Sequence, residues 1–202
     1  GMDSQKTNSY GIKVFHSFDG FEFQSFTSST DTDVVFSYDA DWGNTDSHFP
    51  YVYDYFSETL RDRRSFNQEF RIVSDPADFL QDSFIEWVVG ANYLELKESN
   101  FKKDDGLYGD PTDPFGPYAS ASSSFSQYKS SNISVFGNLD YLLSASLKFS
   151  IGLRVEDWEA NYSDSLKESF NPSDMMSGGK ISLIKNMTND TNMYASLAKG
   201  YK

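Results

Sequence analysis

The sequence has no cysteine. Disulfide cross-links and thiolate metal centres are thereby excluded. It has only two histidines, His16 and His48, too few for a histidine-rich metal site. It is also short of cations: 17 Lys and Arg stand against 30 Asp and Glu, a net charge of −13. Nucleic-acid binding needs basic patches against phosphate, so that balance argues against such a partner. No run approaches the ~20 apolar residues of a membrane-spanning helix, and no signal peptide is visible. No motif frames a nucleophilic serine, and no matched carboxylates are set for acid–base work. Neither enzyme activity nor a cofactor is expected. Gly1-Met2 reads as a cleavage scar followed by a start codon, which leaves residues 3–202 for the fold.

What is present in quantity is aromatic: 18 Phe and 13 Tyr, although hydrophobic residues make up only 38% of the chain. A globular core would draw more on Leu, Ile and Val. A wall that is aromatic and aliphatic on one face and polar on the other gives this mixture.

The patterning agrees. Alternation with a period of two, the strand signal, recurs throughout. It predicts about eight strands, near 10–18, 21–38, 64–74, 84–97, 131–142, 147–158, 176–185 and 192–202. In the fifth, Ile133, Val135, Gly137, Leu139 and Tyr141 alternate with Asn132, Ser134, Asn138 and Asp140, and Phe136 is the exception. In the sixth, Leu147, Phe149, Ile151, Leu153 and Val155 alternate with Lys148, Ser150, Gly152, Arg154 and Glu156. A tight connection over 143–146 makes the two a hairpin. The predicted connections alternate short and long, with 39–63, 98–130 and 159–175 as the long ones. Short turns at one end and long loops at the other are the habit of an outer-membrane barrel. The expected fold is therefore all-β, an antiparallel up-and-down meander forming a partial transmembrane β-barrel.

Particular segments resemble TonB-dependent outer-membrane receptors. Phe18-Asp19-Gly20-Phe21, followed by Thr27, is similar to a hairpin in the front of that family's barrel. Tyr38-Asp39-Ala40-Asp41-Trp42-Gly43-Asn44 resembles the start of a loop in one subgroup. Arg63-Arg64 with Asn67-Gln68-Glu69-Phe70-Arg71-Ile72-Val73-Ser74 resembles a recurrent strand, and Trp87-Val88-Val89-Gly90-Ala91-Asn92-Tyr93 the strand after it. Val135-Phe136-Gly137-Asn138-Leu139-Asp140-Tyr141 and Gly152-Leu153-Arg154-Val155-Glu156 are similar to the next hairpin. Tyr194-Ala195-Ser196-Leu197-Ala198-Lys199-Gly200-Tyr201-Lys202 resembles a later strand. The segments follow family order along nearly the whole chain.

The resemblance implies a Gram-negative outer-membrane protein that imports a scarce, large nutrient, by default a ferric siderophore. Vitamin B12, haem and oligosaccharide remain open as cargo. It further implies coupling to the TonB complex through an N-terminal part, with an energy-coupling box and plug domain, that this sequence does not include. A soluble all-β carbohydrate-binding module and a passive porin are the alternative functions.

Within that reading, Trp42, Tyr51, Tyr53, Tyr55, Arg61, Arg63 and Arg64, together with His48, form an aromatic-then-basic segment expected in the first long loop. Arginine forks suit carboxylate or catecholate oxygens of an iron chelate. Girdle and loop packing is the alternative role for these residues. Asp104, Asp105, Asp110 and Asp113 are hard oxygen donors that suit calcium, although their spacing matches no EF-hand and a solvated loop accounts for them as well. Glu69 with Arg71, and Arg154 with Glu156, are expected as inward-facing ion pairs. The chain should also meet outer-membrane lipid and, detached from the rest of a barrel, self-associate.

Overall fold

The computed structural model describes residues 1–44, 46–75, 85–188 and 190–200. They form one antiparallel sheet of nine strands and, among the described residues, no helix. The strands are β1 (Met2–Ser17), β2 (Phe21–Asp39), β3 (Val52–Ser74), β4 (Ile85–Gly109), β5 (Tyr118–Ser144), β6 (Leu147–Asp164), β7 (Ser169–Phe170), β8 (Ser173–Asn186) and β9 (Asn192–Lys199). Their spatial order is β1-β2-β3-β4-β5-β6-β8-β9, with the two-residue β7 pairing β6 off this path. This is the expected meander, open at β1 and β9, as a partial barrel is.

The strands are longer than the alternation predicts, and the loops correspondingly shorter. The first long loop is 40–51 rather than 39–63, because β3 starts at Val52. The second is 110–117 rather than 98–130. The Ser-rich stretch 120–126 is part of β5 and pairs with β4 residue for residue, Ser122 against Asp104 and Phe125 against Phe101. The reason is physical. Where both faces of a sheet are wetted, the hydropathy alternation disappears while the backbone ladder continues. The first strand likewise begins at Met2, whose amide nitrogen donates to Ser37 Oγ at 2.8 Å. The expected connection over 75–83 and the ends of two expected strands, at 84 and 201–202, lie outside the described residues, Asp75 excepted.

Short and long connections still alternate. Residues 18–20, 145–146 and 187–191 close one end of the sheet; 40–51, 110–117 and the stretch around β7 lie at the other. Gly20 carries φ 82° in the first turn, a conformation that glycine adopts without steric cost. The β5–β6 hairpin pairs Val135 with Val155 and Leu139 with Ile151, and a register shift between Leu142 and Ser144 precedes its turn.

Residues directly opposite in an antiparallel ladder point to the same side, so the registers define two faces. One is apolar. The row Trp87–Leu139–Ile151–Ile181–Leu197 crosses five strands, and Ile85–Tyr141–Phe149–Leu183–Ala195 runs beside it. The other is polar and holds Asn92, Ser134 and Glu156 in one row and Glu86, Asp140, Ser150 and Ser182 in another. Among the described residues Ala160 is the one buried apolar residue; Ser37, Ser57, Ser134, Glu156 and Ser182 are the buried polar ones. Leu153 and Val135 are more than 60% exposed. The apolar residues are gathered on an outer surface, the inverse of a globular core.

Candidate functional site

The predicted site residues lie mostly on β3, not in a loop. Tyr53, Tyr55, Arg61 and Arg63 are at odd positions of that strand and share the polar face; Arg64 points to the opposite side. Trp42 and Tyr51 lie in the loop 40–51. The site is thereby drawn out along a strand. At roughly 3.3 Å per residue, Arg61 is about 20 Å from Tyr55.

The loop-side end is aromatic. The Tyr53 and Tyr55 rings are 4.8 Å apart, and the His48 ring lies 4.9 Å from Tyr53. Tyr55 lies across Gly106, where a β-carbon would overlap its ring; glycine here makes room for the tyrosine. The ladders add two residues that the sequence reading passed over. Tyr53 stands opposite Tyr108, and Tyr108 opposite Tyr118, so three half-exposed tyrosines cross β3, β4 and β5 in one polar-face row. Their signal in the sequence is their position as the pair bracketing 109–117, legible only once those residues are known to form a hairpin.

The loop 40–51 is tied to this row through Asp41. One carboxylate oxygen accepts the Gly43 amide at 2.8 Å and the other accepts the Tyr55 amide at 3.1 Å. These two backbone donors hold the Asp41 carboxyl below the usual carboxylate range. Between the anchors the chain passes through Trp42, whose φ is 59°, a left-handed conformation uncommon for a large side chain. Trp42 is 89% exposed.

The deeper end is charged. Arg63 meets Glu98 at 2.6 Å, and Arg61 donates to Asn100 Oδ1 at 2.8 Å and lies 3.6 Å from the same Glu98. Asn100 also donates to Glu98, at 3.0 Å. Glu98 is tucked beneath while the two guanidiniums stay nearly half exposed. An arginine carries five N–H donors, so this pair can hold its position on Glu98 and still donate to an oxygen-rich anion.

The expected calcium ligands separate. Asp104 accepts from Ser57 at 2.6 Å and pairs with Lys102; Asp105 turns to the opposite face and pairs with Lys103. Asp110 and Asp113 cap turns in 110–117, where Asp110 accepts from Thr112 and Asp113 from Phe115 and Tyr118. Among the described residues no three metal-binding side chains come together.

The two expected inward ion pairs are both on the polar face, Glu69–Arg71 at 2.5 Å and Arg154–Glu156 at 2.7 Å. Phe136, the exception in its strand's alternation, connects them. It stands in the row Arg71–Gly90–Phe136–Arg154, its ring leans over Gly90, and each guanidinium carbon is 5.9 Å from the ring centre. A cation at that distance is attracted by the ring face.

Comparison with known proteins agrees with this geometry. The family described as TonB dependent receptor-like, beta-barrel matches residues 2–202. Among solved structures, the ferric yersiniabactin uptake receptor FyuA from Yersinia pestis superposes with a TM-score of 0.66 at 16% identity, over 98% of this chain and 28% of the receptor. The siderophore receptor PiuA from Acinetobacter baumannii gives 0.65 at 14%, over 97% and 32%. The copper transporter OprC gives 0.71 at 14%, over 97% and 30%. The chain thus spans about a third of the length of these structures or less. No curated protein matches. Sheet order, loop alternation and the match along the whole chain lead to one conclusion: the chain belongs to the TonB-dependent receptor family, as a stretch of its outer-membrane β-barrel.

Proposed function

We propose that this chain forms part of the wall and outer loops of an active-transport receptor whose cargo is a ferric siderophore. The carrying observation is the common face of the tyrosine row at the loop end and the Arg61–Arg63 pair below it. Aromatic rings offer flat contact surface to a large chelate arriving from the loop side. Guanidinium forks then suit the anionic oxygens of its iron-binding groups. Likeness at 14–16% identity reports fold, so the cargo assignment rests on this chemistry. A bare copper cation would not be drawn to arginines, which carry the same sign of charge.

The residues proposed to meet cargo are Trp42, Tyr51, Tyr53, Tyr55, Arg61 and Arg63, with Tyr108 and Tyr118 joining them. Coupling to the TonB complex would run through parts of the receptor outside these residues. The experiment is equilibrium binding to the complete receptor of a ferric tris-catecholate, the iron-free chelator and Cu(II). The ferric chelate should bind most tightly. R61Q/R63Q and Y53A/Y108A should each weaken it at least tenfold. Preferred binding of Cu(II), or unchanged affinity in both double variants, overturns the proposal.

A further inference from the structure

The polar face carries a second aromatic group, level with the arginine pair rather than at the loop end. Glu98, which Arg63 meets, stands opposite Tyr128. Tyr128 stands opposite Tyr162, and Tyr162 opposite Phe170. Residues opposite in an antiparallel ladder share a face, so Arg63, Tyr128, Tyr162 and Phe170 lie in one row. With strands about 4.8 Å apart, Tyr128 lies about 10 Å across the sheet from Arg63. Trp158 borders the group below: its indole nitrogen donates to Ser130 Oγ at 2.8 Å. Ser130 stands opposite Ala160, so the indole leans toward the Ala160 row, and the small, buried Ala160 lies between Trp158 and Tyr162.

Packing alone does not account for these residues. Cross-strand aromatic pairs stabilise a sheet, which would serve for Tyr128 with Tyr162. Phe170, however, is 58% exposed on a polar face, at the end of a two-residue strand. Tyr162 is also held in place. Its hydroxyl donates to Asp164 Oδ2 at 3.1 Å. Asp164 Oδ1 accepts the Leu166 and Glu168 amides at 2.9 and 3.0 Å. This carboxylate therefore closes the turn into β7 and tethers the Tyr162 ring beside Phe170, with centroids 6.1 Å apart and planes 32° apart. The two carboxylates nearest the row are both engaged, Glu98 by the arginines and Asp164 by its turn. The rings are ordered before anything binds, which lowers the entropic cost of binding.

The neighbouring arginines indicate what would lie on this shelf. Arg61 and Arg63 suit anionic oxygens. A carboxylate brings such oxygens on an aliphatic arm, whereas a catecholate brings them on the ring itself. A chelate lying across β3 to β6 with its oxygens on aromatic rings meets guanidinium and tyrosine together. A carboxylate chelate in the same place meets the guanidinium alone. Ring-to-ring contact adds to affinity beyond the area it covers, so the shelf discriminates between two chelates that the arginines alone would not tell apart.

We infer that Tyr128, Tyr162 and Phe170 form an aromatic subsite that selects ferric chelates whose iron-binding oxygens are borne on aromatic rings. The inference rests on the ferric-chelate reading of the arginine pair. The test is equilibrium binding to the complete receptor of two anionic ferric chelates: a tris-catecholate, which has rings, and ferric dicitrate, which has none. Wild-type receptor should prefer the tris-catecholate. Y128L/Y162L should weaken tris-catecholate binding about tenfold, the worth of a few ring contacts, and leave ferric dicitrate within about twofold. Y128F/Y162F, which keeps the rings, should bind as wild type. F170S, at an exposed position that leaves the barrel intact, should weaken the tris-catecholate alone. An equal loss for both chelates overturns the inference, as does unchanged tris-catecholate affinity in both Y128L/Y162L and F170S. A loss in Y128F/Y162F as large as in Y128L/Y162L overturns it too, because the hydroxyls and not the rings would then be at work. Failure of wild-type receptor to bind either chelate would overturn the ferric-chelate reading beneath it; binding of both without preference for the tris-catecholate would overturn this inference alone.

Discussion

At the scale of single residues, what stands out is how few side chains fix the loop end. Asp41 joins the loop 40–51 to β3 by accepting two backbone amides. Its carboxyl titrates below its ordinary value, so the ionised form is the one bound. The sign follows: the anchor is fully present above the unfolded carboxylate range, near pH 4, and is lost as pH falls through the folded value. Trp42 reports on it directly. In the complete receptor with its other tryptophans replaced by phenylalanine, Trp42 anisotropy should be steady from pH 7 to about pH 4 and fall below it, and D41N should show the low value throughout. An identical profile in D41N would exclude the anchor. Gly90 is the second controlling residue. A β-carbon there would come 2.5 Å from the Phe136 ring and 2.8 Å from the Phe70 carbonyl oxygen. The ring could move; the backbone oxygen could not without bending β3. G90A should cost about 1–3 kcal/mol, the range of overpacking substitutions, read as a shift in the urea midpoint of the folded barrel. A shift of zero would mean that the ring and strand yield freely.

At the scale of elements, neighbouring positions of one strand do opposite work. Ile151 lies in the apolar row with Leu139 and Ile181, and Ser150 in the polar row with Asp140 and Ser182. I151R in the complete barrel should cost about 2–4 kcal/mol at mid-bilayer; S150R should cost less than about 1 kcal/mol, because its side chain enters a wetted face beside Asp140. Equal losses in folding titrations into lipid vesicles would refute the assignment of faces. A recurrent device on these strands is the same-face pair two residues apart: Glu69 with Arg71, Glu95 with Lys97, Lys102 with Asp104, Arg154 with Glu156. Residues i and i+2 of a strand point the same way, so each charge meets its counter-charge without reaching across the ladder. These pairs are partly exposed, and each alone contributes little to stability.

At the scale of the whole molecule, the sheet is open at β1 and β9, and apolar rows run unbroken across β4, β5, β6, β8 and β9 on one face. Unpaired edges template further strand pairing, and a large apolar surface seeks cover. At roughly 25 cal/mol per Å², burying several hundred Å² outweighs a modest loss of curvature. Cut from the remainder of a barrel and held without detergent, the chain should self-associate. Light scattering should give masses above the monomer, and detergent or bilayer should reverse this. A monodisperse monomer that still binds a hydrophobic surface dye would contradict it.

The division between sequence and tertiary structure follows from the same physics. Alternation between an apolar and a wetted face is a local property, repeated every two residues. The meander, its β5–β6 hairpin and the two faces from Trp87 to Val155 could therefore be read before any contact was known. So could the family, because its segments occur in order. Strand length could not: above the apolar band both faces are wetted, 53–63 and 120–130 lose their alternation, and only hydrogen bonding to a neighbour marks them as strand. Nor could the companions of each site residue. Tyr108 and Tyr118 join Tyr53, Arg64 leaves Arg61 and Arg63 for Lys97 and Lys129, and Phe136 bridges two ion pairs, all through register. Register is set by pairing between residues far apart in the chain, and a slip of one residue would turn every one of these side chains to the other face.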